Sequence, residues 1–253
     1  AVGVPVRNPR VITLRYLQVL PLTLTLLIFL VIPVVVIGVV SFWDYTEFAL
    51  VPDFVWTNYD ELFTSKVTYS IYLSTFKYTL LTWVFTSVIG FTVAYFLAFH
   101  VREVKWQIAL FLLCTIPFWT SNIIRMIAWI PVLGRHGLIN DGLISAGLID
   151  QPLEWLLYSD FAVVLAFVHL YTLFMVVPIF NSMMRIERSV IEAAYDAGAG
   201  PWRTMWHVIL PLCKPGIAIG TIFIVTLVMA DFVTVQMMSG GQSASVSIAM
   251  NNK

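Results

Sequence analysis

The chain has 253 residues, of which 60% are hydrophobic and only 11% charged, with no net charge. An ordinary soluble domain carries about a quarter charged residues, so there is too little polar side chain here to cover a water-facing surface. That excludes a soluble globular fold and leaves a bundle of membrane spans. A neutral balance also gives no reason to expect nucleic acid as a partner.

A spanning helix needs about 20 mostly apolar residues. Five runs qualify, and the sequence is read as an all-α polytopic membrane protein. The first extends from Tyr16 to Trp43 without a charge. It is too long for a signal-peptide core and lacks a small-residue cleavage site, so it reads as a retained anchor in which Pro33 predicts a kink. The others are Tyr78 to Phe99, Trp106 to Leu133 (interrupted by Arg125), Phe161 to Met184, and Leu212 to Val235 (with Asp231 near its end). Cys114 and Cys213 form no metal-ligand or disulfide pattern and read as small buried hydrophobes. No metal site is expected.

The connecting segments set an orientation, because Lys and Arg stay on the cytoplasmic side. Arg7, Arg10 and Arg15 mark the arm 1–15 as cytoplasmic, with the transmembrane domain following over 16–253. The next segment is acid-rich, with Asp44, Glu47, Asp53, Asp60 and Glu61 against Lys66 and Lys77. Arg102 and Lys105 lie in the following turn. Arg135 is the lone strong base among Asp141, Asp150, Glu154 and Asp160. Arg185, Arg188, Arg203 and Lys214 then mark the last connection. Basic and base-poor segments alternate at every crossing, which predicts a cytoplasmic N-terminus. Five crossings place the end of the chain outside, and a sixth span after residue 253 is expected. Short helices on the membrane face are expected in Asn58 to Phe63 and Gly142 to Tyr158.

The 185–211 connection differs from the rest. Ser189-Val-Ile-Glu192 has capping-box spacing, and Gly198 suits a left-handed helix stop. Pro201 suits the first turn of a second helix over Pro201 to Ile209, with Trp202, Met205, Trp206 and Ile209 on one side. Pro211 is read as the start of the fifth span. From the residues alone, the two tryptophans either pack on their own bundle or await a partner.

Glu192-Ala193-Ala194, three residues, Gly198, nine residues, then Val208-Ile-Leu210-Pro211 resembles the EAA loop of importer permeases in the ATP-binding-cassette superfamily. Val208 stands where that pattern usually has Ile. Pro117 to Trp129, Leu133 to Asn140, Ala230-Asp-Phe-Val-Thr234 and Ser239-Gly-Gly241 are similar to the spermidine/putrescine-type permeases, on the side of the first of their two paired subunits. The resemblance implies the type I importer permease bundle, usually of six spans. It implies that Glu192, Ala193, Ala194, Gly198, Leu210 and Pro211 couple to a separate ATPase pair. It further implies a second permease, which the family pairing makes a paralogue, and a periplasmic substrate-binding protein, all at a bacterial inner membrane. ATP and Mg would be bound by the ATPase; this chain has no phosphate-binding loop and no expected cofactor or enzymatic activity of its own.

Charges inside spans are functional suspects. Asp231 suits a polyamine cargo directly, with an ion pair to Arg125 or Lys77 as the structural alternative. Trp119, Tyr95, Tyr171 and Trp83 could offer aromatic faces to an ammonium. Arg125 repels a polycation, which points to a structural pair or an anionic cargo. His169 reads as a hydrogen-bonded packing residue rather than a proton relay. His136 and Asn140 are placed in an external loop facing the binding protein. A secondary transporter would show paired broken helices or a chain of membrane acids, and neither is legible in the sequence.

Overall fold

The computed structural model describes residues 9–45 and 50–240. Arg7, Glu47, Gly241 and the rest of the C-terminal tail therefore lie outside the described residues, as do the side chains of Arg10 and Arg15. The chain divides into two units, Ala1–Lys66 and Val67–Lys253.

In the first unit, α1 (Pro9–Leu26) and α2 (Ile32–Val40) are joined by a π turn, Leu27–Val31. That turn ends two residues before Pro33, whose ring and missing N–H disturb the preceding turn. Gln18–Val40 is long and apolar enough to cross a membrane, and its side chains are exposed along its length. Two short strands, β1 (Asp44–Tyr45) and β2 (Leu50–Val51), pair antiparallel. The short helix α3 (Thr57–Thr64) covers Asn58 to Phe63. Asn58 donates to the carbonyls of Ser41 and Trp43, at 3.2 and 2.8 Å, and ties α3 to the end of α2. Phe42 stacks on Phe54 at 4.8 Å, with Trp56 and Tyr59 closing the cluster.

The second unit is built around α9 (Asp160–Met183), which matches its sequence-derived span to within one residue at each end. It is apolar on nearly all sides because neighbours cover it: Ala162, Val163, Ala166, Phe167, Met175 and Ile179 are fully buried. α13 (Lys214–Ala230) lies against it with Gly216, Gly220, Ile224 and Val228, every fourth residue. The glycines permit the approach. A Cβ at Gly220 would sit 2.3 Å from Met175 Sδ, and one at Gly216 would sit 2.4 Å from the Pro178 carbonyl oxygen. On the other side of Met175, a Cβ at Gly90 would fall 3.0 Å from its Cβ and Cγ, so this side chain fills a slot between α4 and α13.

α4 (Lys66–Tyr95) continues through a π turn, Phe96–His100. The helix begins twelve residues before Tyr78, where the apolar run starts. Lys66, Lys77 and the Thr/Tyr residues between them look loop-like by composition, yet they extend the helix. Lys77 Nζ lies 2.6 Å from Asp160 Oδ2 at the start of α9, and the Tyr78 hydroxyl donates to the same carboxylate.

Two spans that look continuous in the sequence are broken. α5 (Val104–Thr115) ends in a 3₁₀ turn, Ile116–Trp119, and the chain then turns by 90° into α6 (Asn122–Ile127), α7 (Ile130–Leu133) and α8 (Leu138–Ser145). Pro117 and the extended backbone at Thr120 make the break. Likewise α11 (Pro201–Thr204), a π turn Met205–Ile209 and α12 (Leu210–Leu212) meet α13 at 65°. Pro211 thus lies on the near side of this bend, and α13 begins three residues after it. Among the described residues three helices can cross a membrane alone, and five crossings result when each bent pair is one span.

Candidate functional site: a helical elbow and a charged cavity

The 185–211 connection folds as two helices meeting at glycine. α10 (Arg188–Asp196) ends with Gly198 at φ +80°, where its N–H donates to Tyr195 O at 2.8 Å and the Ala199 N–H to Ala194 O at 3.0 Å. These two bonds satisfy the last carbonyls of the helix in a Schellman motif, and the left-handed φ suits glycine. Pro201 then opens α11 behind Gly200, as the sequence suggests.

The capping box does not form. The helix begins at Arg188 with Glu187 as N-cap, so Ser189 lies inside it and its hydroxyl donates to the Glu187 carboxylate at 3.2 Å. A helix that starts ahead of Ser189 leaves Glu192 in its middle. The Glu192 carboxylate is exposed and makes no hydrogen bond or ion pair among the described residues. Ala193 is exposed beside it, while Ala194 and Leu210 are half-buried and Pro211 is exposed.

The tryptophans take an intermediate position. Trp202 and Trp206 meet edge to face at 5.9 Å, and both border a groove of about 480 Å³ whose other walls include Trp83, Phe91 and Ile217. Trp202 remains 70% exposed. Ile209, from the same stripe, is buried against the bundle and anchors it.

The second feature is a cavity of about 370 Å³ between the start of α6 and the far end of α13, lined by Asn122, Met126, Tyr171, Leu227, Asp231 and Phe232, among others. Asp231 separates α13 from α14 (Phe232–Met238). It is the N-cap of α14: Oδ1 accepts the Thr234 N–H at 2.9 Å, and Oδ2 accepts the Tyr171 hydroxyl at 2.6 Å and the Thr234 hydroxyl at 2.5 Å. Such a cap contributes about 1 kcal/mol. Neither suggested ion pair is present among the described residues. Lys77 is engaged by Asp160, and Arg125 donates to Asn122 Oδ1. Sequence reasoning does not single out Asn122 or Thr234. Both stand three residues from a charged partner, and Asp231-Phe-Val-Thr234 is a helix-start signature hidden inside an apolar run.

Of the aromatic candidates, only Tyr171 joins this cavity. Tyr95 packs among Phe91, Phe99 and His100 at the far end of α4. Trp119 is 86% exposed at the α5 break. The Trp83 indole N–H donates to the Thr221 hydroxyl at 2.8 Å. His169 accepts the Trp129 indole N–H on Nδ1 at 3.1 Å, which leaves its proton on Nε2 and supports the packing role.

Asn140 is not a docking residue. It is fully buried; its amide donates to Gly134 O at 3.0 Å and Leu153 O at 3.3 Å, and its oxygen accepts the Leu153 N–H at 2.8 Å. It holds the 134–153 excursion closed, while His136 is exposed. Asn140→Ala leaves three partly buried backbone groups without their partner and should cost about 1–3 kcal/mol, read as a lowered thermal midpoint of the purified protein; an unchanged midpoint would show that water replaces the amide.

This assembly is an all-α membrane permease fold with broken spans and a helical elbow at one end. Residues 90–251 match the family described as the binding-protein-dependent transport system inner membrane component, and the chain belongs to that family. It is accordingly a multi-pass inner-membrane protein. The spermidine/putrescine transport system permease protein PotB of Escherichia coli (strain K12) is 33% identical over 156 residues, covering 62% of this chain and 56% of that protein. PotB of Salmonella typhimurium (strain LT2) is 32% identical over 62% of this chain and 53% of its own length. The inner membrane ABC transporter permease protein YdcU of E. coli K12 is 28% identical over 79% of this chain and 66% of that protein. The chain thus spans about half the length of the PotB relatives it matches. The fold is shared with the crystal structure of a bacterial ABC transporter for import of the acidic polysaccharide alginate, with a TM-score of 0.70 at 18% identity over 94% of this chain and 83% of that one.

Proposed function

We propose that this chain is the membrane-crossing subunit of an ATP-driven importer that receives a polyamine, putrescine or spermidine, from an external binding protein and releases it into the cytoplasm. The observation that carries the transport reading is the elbow: a Schellman stop at Gly198 between two helices, with an unengaged Glu192 and an exposed Trp202. Two exposed tryptophan rings beside an apolar groove form a contiguous patch of the kind that marks an interaction site. The arm 1–15 and the elbow lie on the cytoplasmic side in this reading, and residues 16–253 form the transmembrane domain.

The partner at the elbow is an ATPase pair that binds ATP and Mg. Glu192, Ala193, Ala194 and Gly198 meet it, and Leu210 and Pro211 pass its motion to α13. A second, paralogous permease completes the pathway. The polyamine assignment rests on the PotB relatives and on Asp231. Its carboxylate offers a remaining acceptor position in the cavity, with the Tyr171 ring beside it for cation–π contact.

The test is uptake of labelled putrescine and spermidine in cells that lack other polyamine carriers and express this chain with its cognate partners. Uptake should need the ATPase, and Asp231→Asn should lower it about tenfold, the cost of losing one charge-assisted contact. Uptake that persists without the ATPase would overturn the importer reading. Tight calorimetric binding of a different solute by the cognate binding protein, with no response to either amine, would overturn the cargo.

A further inference from the structure

Asp231 lines the cavity, and Arg125 stands behind its wall, bonded to the lining residue Asn122. Asp231 is fixed by Tyr171 and Thr234, and Arg125 is fixed by Asn122, which also lines the cavity. The Arg125 residue is only 8% exposed, no carboxylate lies within 4.0 Å of its guanidinium among the described residues, and its Nε has no hydrogen-bond partner. A buried, unpaired guanidinium is costly, and a membrane protein keeps such a group where it acts on a passing charge. Met126, next in sequence, forms part of the cavity wall, and its sulfur touches the Thr234 hydroxyl oxygen at 2.8 Å, so the Arg125 segment and the Asp231 segment are in contact.

The field in this cavity is therefore that of a dipole, attractive to one ammonium at Asp231 and repulsive to a second ammonium near Asn122. A permeation site must bind strongly enough to admit its cargo and weakly enough to release it. A bare carboxylate in a low-dielectric cavity would hold a polyamine more tightly with every amino group that entered.

We propose that Arg125 is a specificity-determining residue that limits this cavity to one ammonium at a time, so that a polyamine crosses it amino group by amino group and is not retained. This rests on the polyamine reading above. It makes Asp231 and Arg125 a matched pair acting on the cargo rather than on each other.

The experiment uses the complete transporter, with the second permease and the ATPase, purified without the binding protein. Binding of N-acetylputrescine, putrescine and spermidine is measured by calorimetry, and turnover is measured after reconstitution with the binding protein. For the unaltered protein, affinity should be weak and nearly equal for the three amines. For Arg125→Gln it should climb about tenfold with each added ammonium, the change expected for deleting one nearby unit charge, while spermidine turnover falls. Arg125→Lys should keep the flat order, and Asp231→Asn should lower binding of all three. Arg125→Met, of similar length, serves if the Gln variant is not found in the membrane.

An affinity that already rises steeply with ammonium number in the unaltered complex overturns the proposal without any variant. So does a Gln variant with the unaltered order, or one that only weakens assembly of the permease pair, which would place the guanidinium at a subunit contact. If the unaltered complex neither binds nor moves any of the three amines, the polyamine reading itself falls.

Discussion

Replacing Gly198 with valine should lower energised uptake about tenfold while leaving the protein in the membrane. Gly198 sits at φ +80°, and nothing lies within 4 Å of the place a side-chain methyl would occupy, so the obstacle is the backbone alone. A β-branched residue in left-handed geometry costs about 1–2 kcal/mol, a roughly tenfold shift away from the elbow's conformation. Gly198→Ala should be intermediate and Gly198→Asn close to normal, since asparagine tolerates the left-handed region. Glu192→Gln should also lose uptake, for a different reason: it removes a charge from an exposed helix face and leaves the elbow's shape intact. The measurement is uptake beside membrane abundance and the ATPase activity of the assembled complex. Normal transport by Gly198→Val would mean that the angle between α10 and α11 does not carry force.

Gly216→Val should be the most damaging single change to folding. The new Cβ would lie 2.4 Å from both the Pro178 carbonyl oxygen and Ser182 Oγ on α9, and the carbonyl belongs to backbone that cannot swing aside. Overpacking of this kind costs about 3 kcal/mol or more, which lowers the thermal midpoint by roughly 6–12 °C in a chain of this size. Gly220→Ala should be milder, because its closest contact is the flexible end of Met175, which can change rotamer. Gly38→Ala, with open space around it, serves as the control. Equal midpoints for Gly216→Val and Gly38→Ala would show that α9 and α13 do not need their close approach.

The α9 span is legible in the sequence because charges bound it on both sides, Asp160 at one end and Arg185 at the other. The breaks in the third and fifth runs are concealed, because hydropathy averages over a window and does not register two extended residues at Thr120 and Ser121. The cues are present in Pro117 and in the Asp231–Thr234 spacing, but both are short-range signals inside long apolar runs. Paired broken helices are a mark expected of secondary transporters and are not legible in this sequence. They occur here all the same, in a member of the binding-protein-dependent family, so a broken span alone does not separate the two mechanisms.

The elbow is legible at Gly198 and Pro201, where backbone geometry restricts residue choice. Ser189 misleads, because the helix accepts more than one start. Asn140 misleads too, because asparagine in a polar loop usually faces water. Only the fold reveals that its loop closes over it. Tyr171 can be singled out by residue type, but its pairing with Asp231 across sixty residues of sequence cannot.

The length of α4 has a mechanical consequence. Lys66–His100 is 35 residues of unbroken helix, about 52 Å long, in a bilayer whose hydrocarbon is about 30 Å thick. The Lys77–Asp160 contact pins this rod to α9 about a third of the way along. Such a rod is a lever with unequal arms. A tilt of about 5° about that pin displaces the far end by about 3 Å and the near end by about half as much. The same rotation therefore gives a large stroke at the Tyr95 end and a small one at the Lys66 end.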